Sequence, residues 1–504
     1  MLRISLILFF TAFFALASAQ ETVVIAQQLE QGSLNPADNR GLSDNTVGRV
    51  LFEGLVGFDQ NLELVPELAT EWDINDEATQ ITFTLREGVS FHDGTPFNAE
   101  EVKYYFDWAT DADNPLAGRA ASLLGDIDSV EVVDDLTVRF NLNQPNGAMI
   151  FNFVTANARI ISSTAIKTYG EDIDRNPVGT GPFKFKEWAD GQYILVEAFE
   201  DYWGEPAKVD QIEFRVVNND ATRIALLQTG EAHFIEMVPP PLVAALEANP
   251  DLVVDATESV FARIFPMNTQ IEPFNDVRVR QALNHAIDRE QLVQVALQGY
   301  GTALTSVMPE AVFGHTPQTP YEYDLEKAKQ LLTEAGYPDG FTTGVLTFNS
   351  DEFSTVGQIL QQMLSQVGVT LELQPTERGA LVERIFKPFE ETDLEASLVG
   401  ASTTTADADR AFRASFTTSA WPPDSNNWSF YSNEEVDALV DEASQIGDQD
   451  RRAELYAQAQ AIVWEEAPWI FLYSPNNIAG RVSNLEGVYY LAPRFVDARN
   501  ADLQ

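Results

Sequence analysis

The sequence predicts an α/β fold arranged as two lobes joined by a hinge. The chain has 504 residues, which is too long for one hydrophobic core, and its apolar fraction of 45% is ordinary for a globular protein. From about residue 345, strand-like runs alternate with helical runs, an order typical of a mostly parallel sheet. The segments 264–269 and 469–473 are strand-like, and the chain has no low-complexity linker. These two observations indicate that the chain crosses twice between the lobes through strands.

The most informative stretch is 81–108, ITFTLREGVSFHDGTPFNAEEVKYYFDW. Alternating apolar and polar residues over 81–86 predict a half-buried strand, and 93–96 (DGTP) predicts a turn. Asn98 is predicted to cap a helix, with Glu101 reaching back to it as in a capping box.

Other elements follow in order along the chain. The run 21–27 predicts a buried strand, and 130–142 predicts a hairpin around two aspartates. A helix is predicted to end at Gly230, and Asp288 is predicted to cap the second helix of a pair. Further predicted helices and strands are 321–336, 345–349, 356–367, 370–373 and 433–464.

The first twenty residues are typical of a secretory signal peptide. Arg3 gives a short positive region, 4–16 is almost wholly apolar, and 17–19 (ASA) is a small-x-small cleavage pattern. We expect residues 1–19 to be removed, because the apolar run is short for a membrane span. No cysteine is present to carry a lipid anchor, so the mature protein is expected to be free in a periplasm.

The composition disfavours several classes of function. The formal net charge is −46, from 77 acidic and 31 basic residues, so most of the surface would repel nucleic acid and anionic lipid. The four histidines lack zinc-site spacing, and the lack of cysteine excludes disulfides and thiol chemistry. Nucleophile-elbow, phosphate-loop and dinucleotide-binding motifs are also missing. We predict neither a catalytic site nor a cofactor or metal.

One family resemblance is carried by the stretch LREGVSFHDGTPFNAEEVKYYF, within 85–106, and by NPVGTGPFKF at 176–185. The first stretch resembles the signature of the extracytoplasmic solute-binding proteins of peptide-type ABC transporters, called family 5. Pieces such as MNTQIEPFNDVRVRQALNHAI and the terminal ADLQ resemble the glutathione-binding branch of that family. The resemblance implies a clamshell of the peptide-binding type, with an extra subdomain in the first lobe.

The resemblance also implies a division of the chain. The signal peptide is followed by a first lobe over 20–264, with the subdomain over about 61–177. The second lobe is expected over 265–474, and 475–504 is expected to return to the first lobe.

Candidate ligand-binding residues are expected in loops, because a solute with carboxylates needs arginine and hydroxyl partners in a closed cleft. In so acidic a chain, loop arginines are informative: Arg40, Arg378, Arg410 and Arg413 qualify, although each is also explained by pairing with a local acid. Asn39 and Asp407, from the same loops, complete this set, and Trp421 is predicted either to stack on a ligand or to pack in the protein.

The resemblance adds hydroxyl residues to these candidates. Dipeptide binders carry an aspartate for the peptide ammonium in a G-W-T-G-D loop, and here Thr404 stands at that position. They also have an arginine near the start of the second sheet, where this chain has Ser350. The glutathione branch uses small hydroxyl residues in these loops, so Ser350, Ser402, Thr403 and Thr404 are predicted to contact the ligand.

The expected function is capture of a small peptide-like solute, glutathione or a short peptide, and its delivery to a membrane ABC permease. The protein is expected to be a monomer that does not bind nucleic acid. Two alternatives remain open: a binder of the same fold for an oligosaccharide, opine or metal chelate, and a periplasmic hydrolase.

Overall fold

The computed structural model describes residues 21–39, 42–403 and 405–504. Within these residues it contains 23 strands, numbered β1 to β23 in chain order. The strands are Thr22–Gln27, Val56–Phe58, Leu64–Pro66, Ala69–Ile74, Gln80–Leu85, Ile127–Asp134, Thr137–Leu142, Phe183–Ala189, Tyr193–Ala198, Gln211–Val216, Phe234–Ile235, Leu252–Thr257, Phe261–Pro266, Gly301–Ala303, Thr342–Phe348, Thr370–Thr376, Ala396–Ser402, Trp469–Pro475, Asn477–Val482, Leu485–Glu486, Tyr489–Tyr490, Val496–Asp497 and Asp502–Leu503.

The same residues contain 15 α-helices, numbered α1 to α15. They are Leu42–Leu51, Ala99–Thr110, Ala120–Leu123, Met149–Asn152, Ser163–Tyr169, Asp220–Thr229, Pro240–Glu247, Val277–His285, Arg289–Leu297, Leu325–Glu334, Asp351–Ser365, Arg378–Ile385, Ala408–Ser415, Glu434–Ser444 and Gln449–Glu466. Within the described ranges, none of the helices combines the length and the apolar character needed to cross a membrane.

The first lobe is built on a seven-stranded sheet in the order β12-β19-β11-β1-β10-β9-β8. The central strand β1 pairs in parallel with β10 and β11, and the other neighbours pair antiparallel. Five of the six residues of β1 are buried, as predicted for this apolar run. The strand β19 lies in the last segment of the chain, so that segment returns to this sheet.

The second lobe is built on a six-stranded sheet in the order β14-β18-β13-β17-β15-β16. Only β15 pairs in parallel, with β16 and with β17. The pairings of β13 and β18 are antiparallel, so the prediction of a mostly parallel sheet is wrong. The reason is that β13 enters from the first lobe and β18 leaves toward it, and two such strands run in opposite directions when they pair. The two-lobed α/β organisation itself is confirmed.

The subdomain is an antiparallel four-stranded sheet, β4-β5-β7-β6, covered by α2. The predicted strand and hairpin are both present, as β5 and as the pair β6–β7. Four buried phenylalanines form its centre, with ring centroids 4.8 to 5.6 Å apart: Phe83, Phe106, Phe140 and Phe153. Edge-to-face packing of this kind adds about 0.5–1.5 kcal/mol per pair beyond burial.

The chain passes between the two large sheets at two adjacent points. The first lies between β12 and β13, and the second lies at Asn476, between β18 and β19. The two crossings are joined by hydrogen bonds: Ser259 Oγ donates to Pro475 O at 2.6 Å, and Ser474 Oγ donates to Ser259 O at 2.9 Å. The predicted boundary between 264 and 265 lies within β13, and the lobe boundaries stay predictions.

Several predicted helix ends are confirmed. Asn98 accepts a hydrogen bond from Glu101 N at 3.1 Å, Asp288 caps α9, and Gly230 takes a left-handed conformation after α6. The capping box, however, is incomplete. The Glu101 carboxylate accepts instead from Ser163 N and Oγ at 3.0 and 2.9 Å, because the first turn of α5 lies beside it.

Candidate functional site

Two adjoining cavities lie between the subdomain and the second lobe. The subdomain cavity, about 840 Å³, is lined on one side by residues between 119 and 152 and on the other by α13 and α14. The strand-end cavity, about 370 Å³, is lined by the start of β13, the end of β17 and α13. Arg119 and Arg410 line both cavities. Each volume falls in the range of roughly 300–1,000 Å³ found for small-molecule sites.

Arg119 and Arg410 bring positive charge into these cavities from opposite walls. Arg119 precedes α3 in the first lobe, and Arg410 lies in the first turn of α13 in the second. Within the described part of the chain, neither guanidinium forms an ion pair. Desolvation by the cavity walls, and then the charge of Arg119, lower the pKa of Arg410. An anion held between the two arginines would relieve this repulsion.

The helix that carries Arg410 is held in place by other ion pairs. The Asp407 side chain caps α13 by accepting from Asp409 N at 2.8 Å. Arg452 binds the Asp407 carboxylate at 2.9 and 3.2 Å, and Arg413 binds Asp409 at 2.9 Å. The fold therefore fixes the position of Arg410 while its own charge stays unpaired among the described residues.

Buried hydrogen-bond donors around the same cavities lack partners. Trp428 and Trp469 line the strand-end cavity, and Thr405 lines the subdomain cavity. Within the described structure, the indole N–H groups of both tryptophans and the Thr405 hydroxyl are buried without a hydrogen-bond partner. An unmade buried hydrogen bond costs about 1–3 kcal/mol, so such groups are unusual in a folded protein.

Acidic side chains also line the subdomain cavity, but their oxygens are used within the protein. Asp126 accepts from Gln144 Nε2 at 3.0 Å and from Asn146 Nδ2 at 2.7 Å. Asp441 lies 3.4 Å from Arg413. No group of three or more His, Asp or Glu able to hold a metal ion occurs among the residues that the structure describes.

Five of the candidate ligand-binding residues line these cavities: Arg410 and Arg413, described above, and Ser402, Thr403 and Asp407. Ser402 and Thr403 line the strand-end cavity, with the Ser402 side chain exposed and Thr403 Oγ1 donating to Val260 O at 3.2 Å. Asp407 lines the subdomain cavity, but Arg452 takes its carboxylate and both side chains are almost fully buried. Ser402 is therefore accessible to a ligand, whereas the carboxylate of Asp407 is already bound by Arg452 and has a structural role.

Three others lie elsewhere. Asn39 borders a small space of about 10 Å³, and its carbonyl oxygen accepts from Asn157 Nδ2 at 3.3 Å. Ser350 is exposed and caps α11, with its hydroxyl oxygen 3.5 Å from Phe353 N. Arg378 is exposed at the start of α12 and lines neither of the two cavities. The structure does not bring these three together with Ser402.

Trp421 packs within the second lobe. Its Nε1 donates to Tyr431 O at 2.8 Å, and its ring lies 5.6 Å from that of Phe389 and 5.5 Å from that of Phe430. Of the two roles predicted for this residue, packing is therefore the one that the contacts support. Arg40, Thr404 and the predicted signal peptide lie outside the described residues.

Three residues of the site were not anticipated from the sequence: Arg119, Trp428 and Trp469. Arg119 meets the criterion that selected the other arginines, since it lies in a loop of an acidic chain, in PLAGRA. No local pattern distinguishes the two tryptophans from ordinary core residues, because their unpartnered N–H groups are a property of the packed structure.

Comparison with known proteins identifies relatives over almost the whole chain. Residues 63–433 match the family model of bacterial extracellular solute-binding proteins, family 5 Middle. The glutathione-binding protein GsiB of Pectobacterium atrosepticum is 38% identical over 491 residues, which cover 96% of this chain and 95% of that protein.

Solved structures agree with this relationship. HbpA2 from Haemophilus parasuis superposes with a TM-score of 0.87 at 29% identity, covering 96% of this chain and all of that chain. The periplasmic binding protein DppA from Helicobacter pylori, in complex with the peptide STSA, gives a TM-score of 0.76 at 30% identity over 96% of this chain and 98% of that chain. The resemblance inferred from the sequence signature is confirmed, and the chain belongs to family 5 of the bacterial extracellular solute-binding proteins.

Proposed function

We propose that this protein captures a small peptide-like solute that carries carboxylates, with glutathione or a short peptide as the leading candidate, and delivers it to a membrane ABC permease. The names of the relatives support this ligand class, since they include glutathione-binding and peptide-binding proteins. The predicted signal peptide and the relationship to a periplasmic binding protein support a periplasmic location. The protein acts as a monomer and binds no nucleic acid.

The observation that carries the ligand class is the set of unsatisfied positive and donor groups around the two cavities. Arg119 and Arg410 supply two guanidinium groups, each able to bind a carboxylate through two parallel hydrogen bonds. A peptide-like solute offers carboxylate and amide oxygens, which are the acceptors that such a set of donors requires.

The mechanism is capture by closure, without a chemical step. The solute contacts Arg410 and Ser402 on the second lobe and Arg119 on the first, so its binding energy favours the closed arrangement of the lobes. Rotation takes place about the paired crossings at Ser259 and Asn476. Closure expels water and strengthens each ion pair, because the effective dielectric constant falls. The permease then recognises the closed form.

Calorimetry of the protein, first stripped of ligand by unfolding and refolding, tests this proposal. We expect heat of binding with glutathione or with at least one member of a set of short peptides, and no response to nickel salts. Mass spectrometry of the solute released from the freshly purified protein provides an independent identification. The proposed ligand class would be overturned if the released solute were an oligosaccharide, an opine or a metal chelate and if no peptide gave heat of binding. Turnover of the bound solute would point to a hydrolase instead.

A further inference from the structure

The subdomain and the second lobe are hydrogen-bonded to each other beside the subdomain cavity. The segment 145–148, which follows β7, lies on the subdomain side, and the loop 445–448, between α14 and α15, lies on the other side. Gly147 N donates to Ser444 O at 2.7 Å, and Gln449 Nε2 donates to Gly147 O at 3.3 Å. Residues from both sides of this contact also line the subdomain cavity. The lobes are therefore joined here by direct contacts, apart from the two crossings of the chain.

Gly147 permits this contact because it has no side chain. A Cβ atom at this position would overlap the carbonyl oxygen of Ile446 and would lie 3.1 Å from Cδ of Arg452. Gly147 is buried, and it is not one of the described glycines with a positive φ. A left-handed backbone therefore does not account for glycine at this position. What requires glycine is the close approach of the second lobe.

Gly447, in the loop 445–448, makes the reciprocal approach to the subdomain. A Cβ atom there would lie 2.9 Å from Asn75 O and 3.2 Å from Cγ2 of Ile74, where β4 ends. The Asn75 side chain holds this turn by accepting from Thr79 N at 2.8 Å. Each side of the contact thus places a glycine against the backbone of the other side. A side chain on either glycine would push the two sides apart.

Aromatic and cationic side chains extend the contact toward the ligand site. The ring of Phe151, on α4, lies 5.3 Å from that of Phe313 in the second lobe, and the guanidinium carbon of Arg452 lies 5.9 and 5.7 Å from these two rings. Arg452 Nη1 donates to Gln449 Oε1 at 2.6 Å. Arg452 also binds Asp407, which caps α13. The same arginine therefore contacts the subdomain and holds the helix that lines both cavities.

We propose that the segment 145–148 and the loop 445–448 form a latch, which holds the subdomain against the second lobe when the lobes close. No ligand takes part in these contacts, so the latch stabilises the closed form of the ligand-free protein as well. A solute in the subdomain cavity leaves faster when the latch opens more often, so the latch also slows release. This role rests on the proposed function, because it presupposes lobes that open to admit a solute.

Energy transfer between two dyes, one on each side of the latch, measures closure with or without a ligand. The chain has no cysteine, so two introduced cysteines would be the only labelling sites. Glu100→Cys places one dye on α2 of the subdomain, and Glu326→Cys places the other on α10 of the second lobe; both positions are exposed. The labelled protein is measured ligand-free and with saturating glutathione, and stopped-flow dilution gives the rate of glutathione release.

Three glycine variants of the labelled protein test the latch. Gly147→Ala adds a methyl group that would overlap Ile446 O, and Gly447→Ala adds one 2.9 Å from Asn75 O. The matched control is Gly379→Ala, on the exposed surface of α12. There a Cβ atom meets nothing outside its own helix within 4 Å, and the φ is not positive. Thermal unfolding of each variant verifies that it is folded.

We expect the ligand-free wild type to spend part of its time closed. Gly147→Ala should lower the ratio of closed to open protein at least about 10-fold, the effect of overpacking a close contact. Glutathione release should become at least about 3-fold faster in Gly147→Ala, and faster by a smaller factor in Gly447→Ala. The control should match the wild type in both measurements. A folded Gly147→Ala protein that closes and releases glutathione as the wild type does would overturn the latch.

Two other outcomes separate the latch from the proposed function. A ligand-free wild type that is always open, or a distance between the dyes that never changes, would overturn the latch and leave binding of the solute untouched. Silence of the wild type toward glutathione and every short peptide in calorimetry would overturn the proposed function. The ligand-free comparison of Gly147→Ala with the wild type would then still decide whether the latch holds the lobes, since it involves no solute.

Discussion

Arginines in two regions of this molecule differ in whether a carboxylate of the protein binds them. This difference separates arginines that stabilise the fold from arginines that could bind a ligand. In the first lobe, Arg49 and Arg499 both bind Asp497 at 2.8 Å, and Arg499 also binds Glu67 at 2.7 Å. Burial alone would raise the pKa of Asp497, but the two arginines hold it well below its usual range. At the cavities, by contrast, Arg119 and Arg410 have no such partner among the described residues.

The difference matters because several described arginines lack a carboxylate partner even in a chain with 77 acidic residues to 31 basic ones. Arg280 and Arg289, for example, donate to backbone carbonyl oxygens instead. A guanidinium bound by carboxylates or carbonyl groups has its hydrogen-bonding capacity used by the fold, whereas one with neither partner is available to a ligand. Two of the four predictions that follow test this distinction, and the other two extend the comparison to a buried carboxylate and a tryptophan; they are given in decreasing order of expected effect.

The largest effect should come from breaking a paired arginine. In Asp407→Asn, the cap of α13 stays in place because Asn also accepts from the backbone, but Arg452 loses the carboxylate it binds at 2.9 Å. Leaving a buried charge without its partner costs about 3–5 kcal/mol, which urea unfolding would detect. The control Asp441→Asn removes an exposed partner of Arg413 and should cost less than about 0.5 kcal/mol. A stable Asp407→Asn protein with lost ligand affinity would reverse our assignment.

The second prediction concerns Glu53, a buried carboxylate that has no ion pair among the described residues. Burial, and then the charge of Glu67, raise the pKa of Glu53 from about 4.5 to about 7. The folded state therefore binds the proton more tightly than the unfolded state, so stability is lost as the pH rises from about 4.5 through 7. The loss reaches about 3 kcal/mol, by conversion of this shift.

Glu53→Gln should abolish this pH dependence, since its side chain does not titrate. We expect the stability of the variant relative to wild type to rise by up to about 3 kcal/mol between pH 5 and pH 8, in urea unfolding at both values. The control is Glu100→Gln, on the exposed surface of α2. Parallel pH profiles of Glu53→Gln and wild type would show that Glu53 is ionised throughout.

An unpaired arginine should affect binding without affecting stability. Arg410→Gln is expected to lower the affinity for a carboxylate ligand at least about 10-fold, or about 1.4 kcal/mol. Its unfolding free energy should stay equal or rise slightly, since repulsion with Arg119 is removed. The matched control Arg451→Gln removes an exposed arginine paired with Glu442 and Glu454. If calorimetry gave the same ligand affinity for Arg410→Gln and Arg451→Gln, Arg410 would not be a ligand-binding residue.

The smallest effect tests an aromatic residue instead of a charge. Trp421→Phe removes the N–H that donates to Tyr431 O at 2.8 Å but keeps a ring against Phe389 and Phe430. We expect a loss of about 1 kcal/mol in unfolding free energy and unchanged ligand affinity. A more than threefold loss of affinity at constant stability would instead place the Trp421 ring against the solute.

Much of the fold could be predicted because its signals are local. The strand β5, the cap at Asn98 and the left-handed Gly230 each follow from a few neighbouring residues, and the structure confirms them. The antiparallel pairing of β13 and β18 in the second sheet was missed, because strand direction depends on where these two strands enter and leave the lobe. The carboxylate of Glu101 was also misassigned, since Ser163 lies 62 residues away in the sequence.

The site was harder to predict, for a related reason. The resemblance selected Ser402 and loop position selected Arg410, and both residues line the strand-end cavity; loop position also selected Arg378, which does not. An arginine becomes a candidate when neither a carboxylate nor a carbonyl oxygen of the protein binds it, and that depends on neighbours far apart in the chain. The partner of Asp407, for example, is Arg452, 45 residues further on.

The sequence by itself determined the family, the two-lobed α/β organisation and the acidic character of this protein, because long signatures, periodicity and composition are properties of the chain alone. Only the tertiary structure decided which arginines are paired, since packing brings Asp407 to Arg452 and leaves Arg119 facing Arg410 across a cavity. The physical reason is that an ion pair forms between side chains only a few ångströms apart, and that separation is set by the fold and not by position along the sequence.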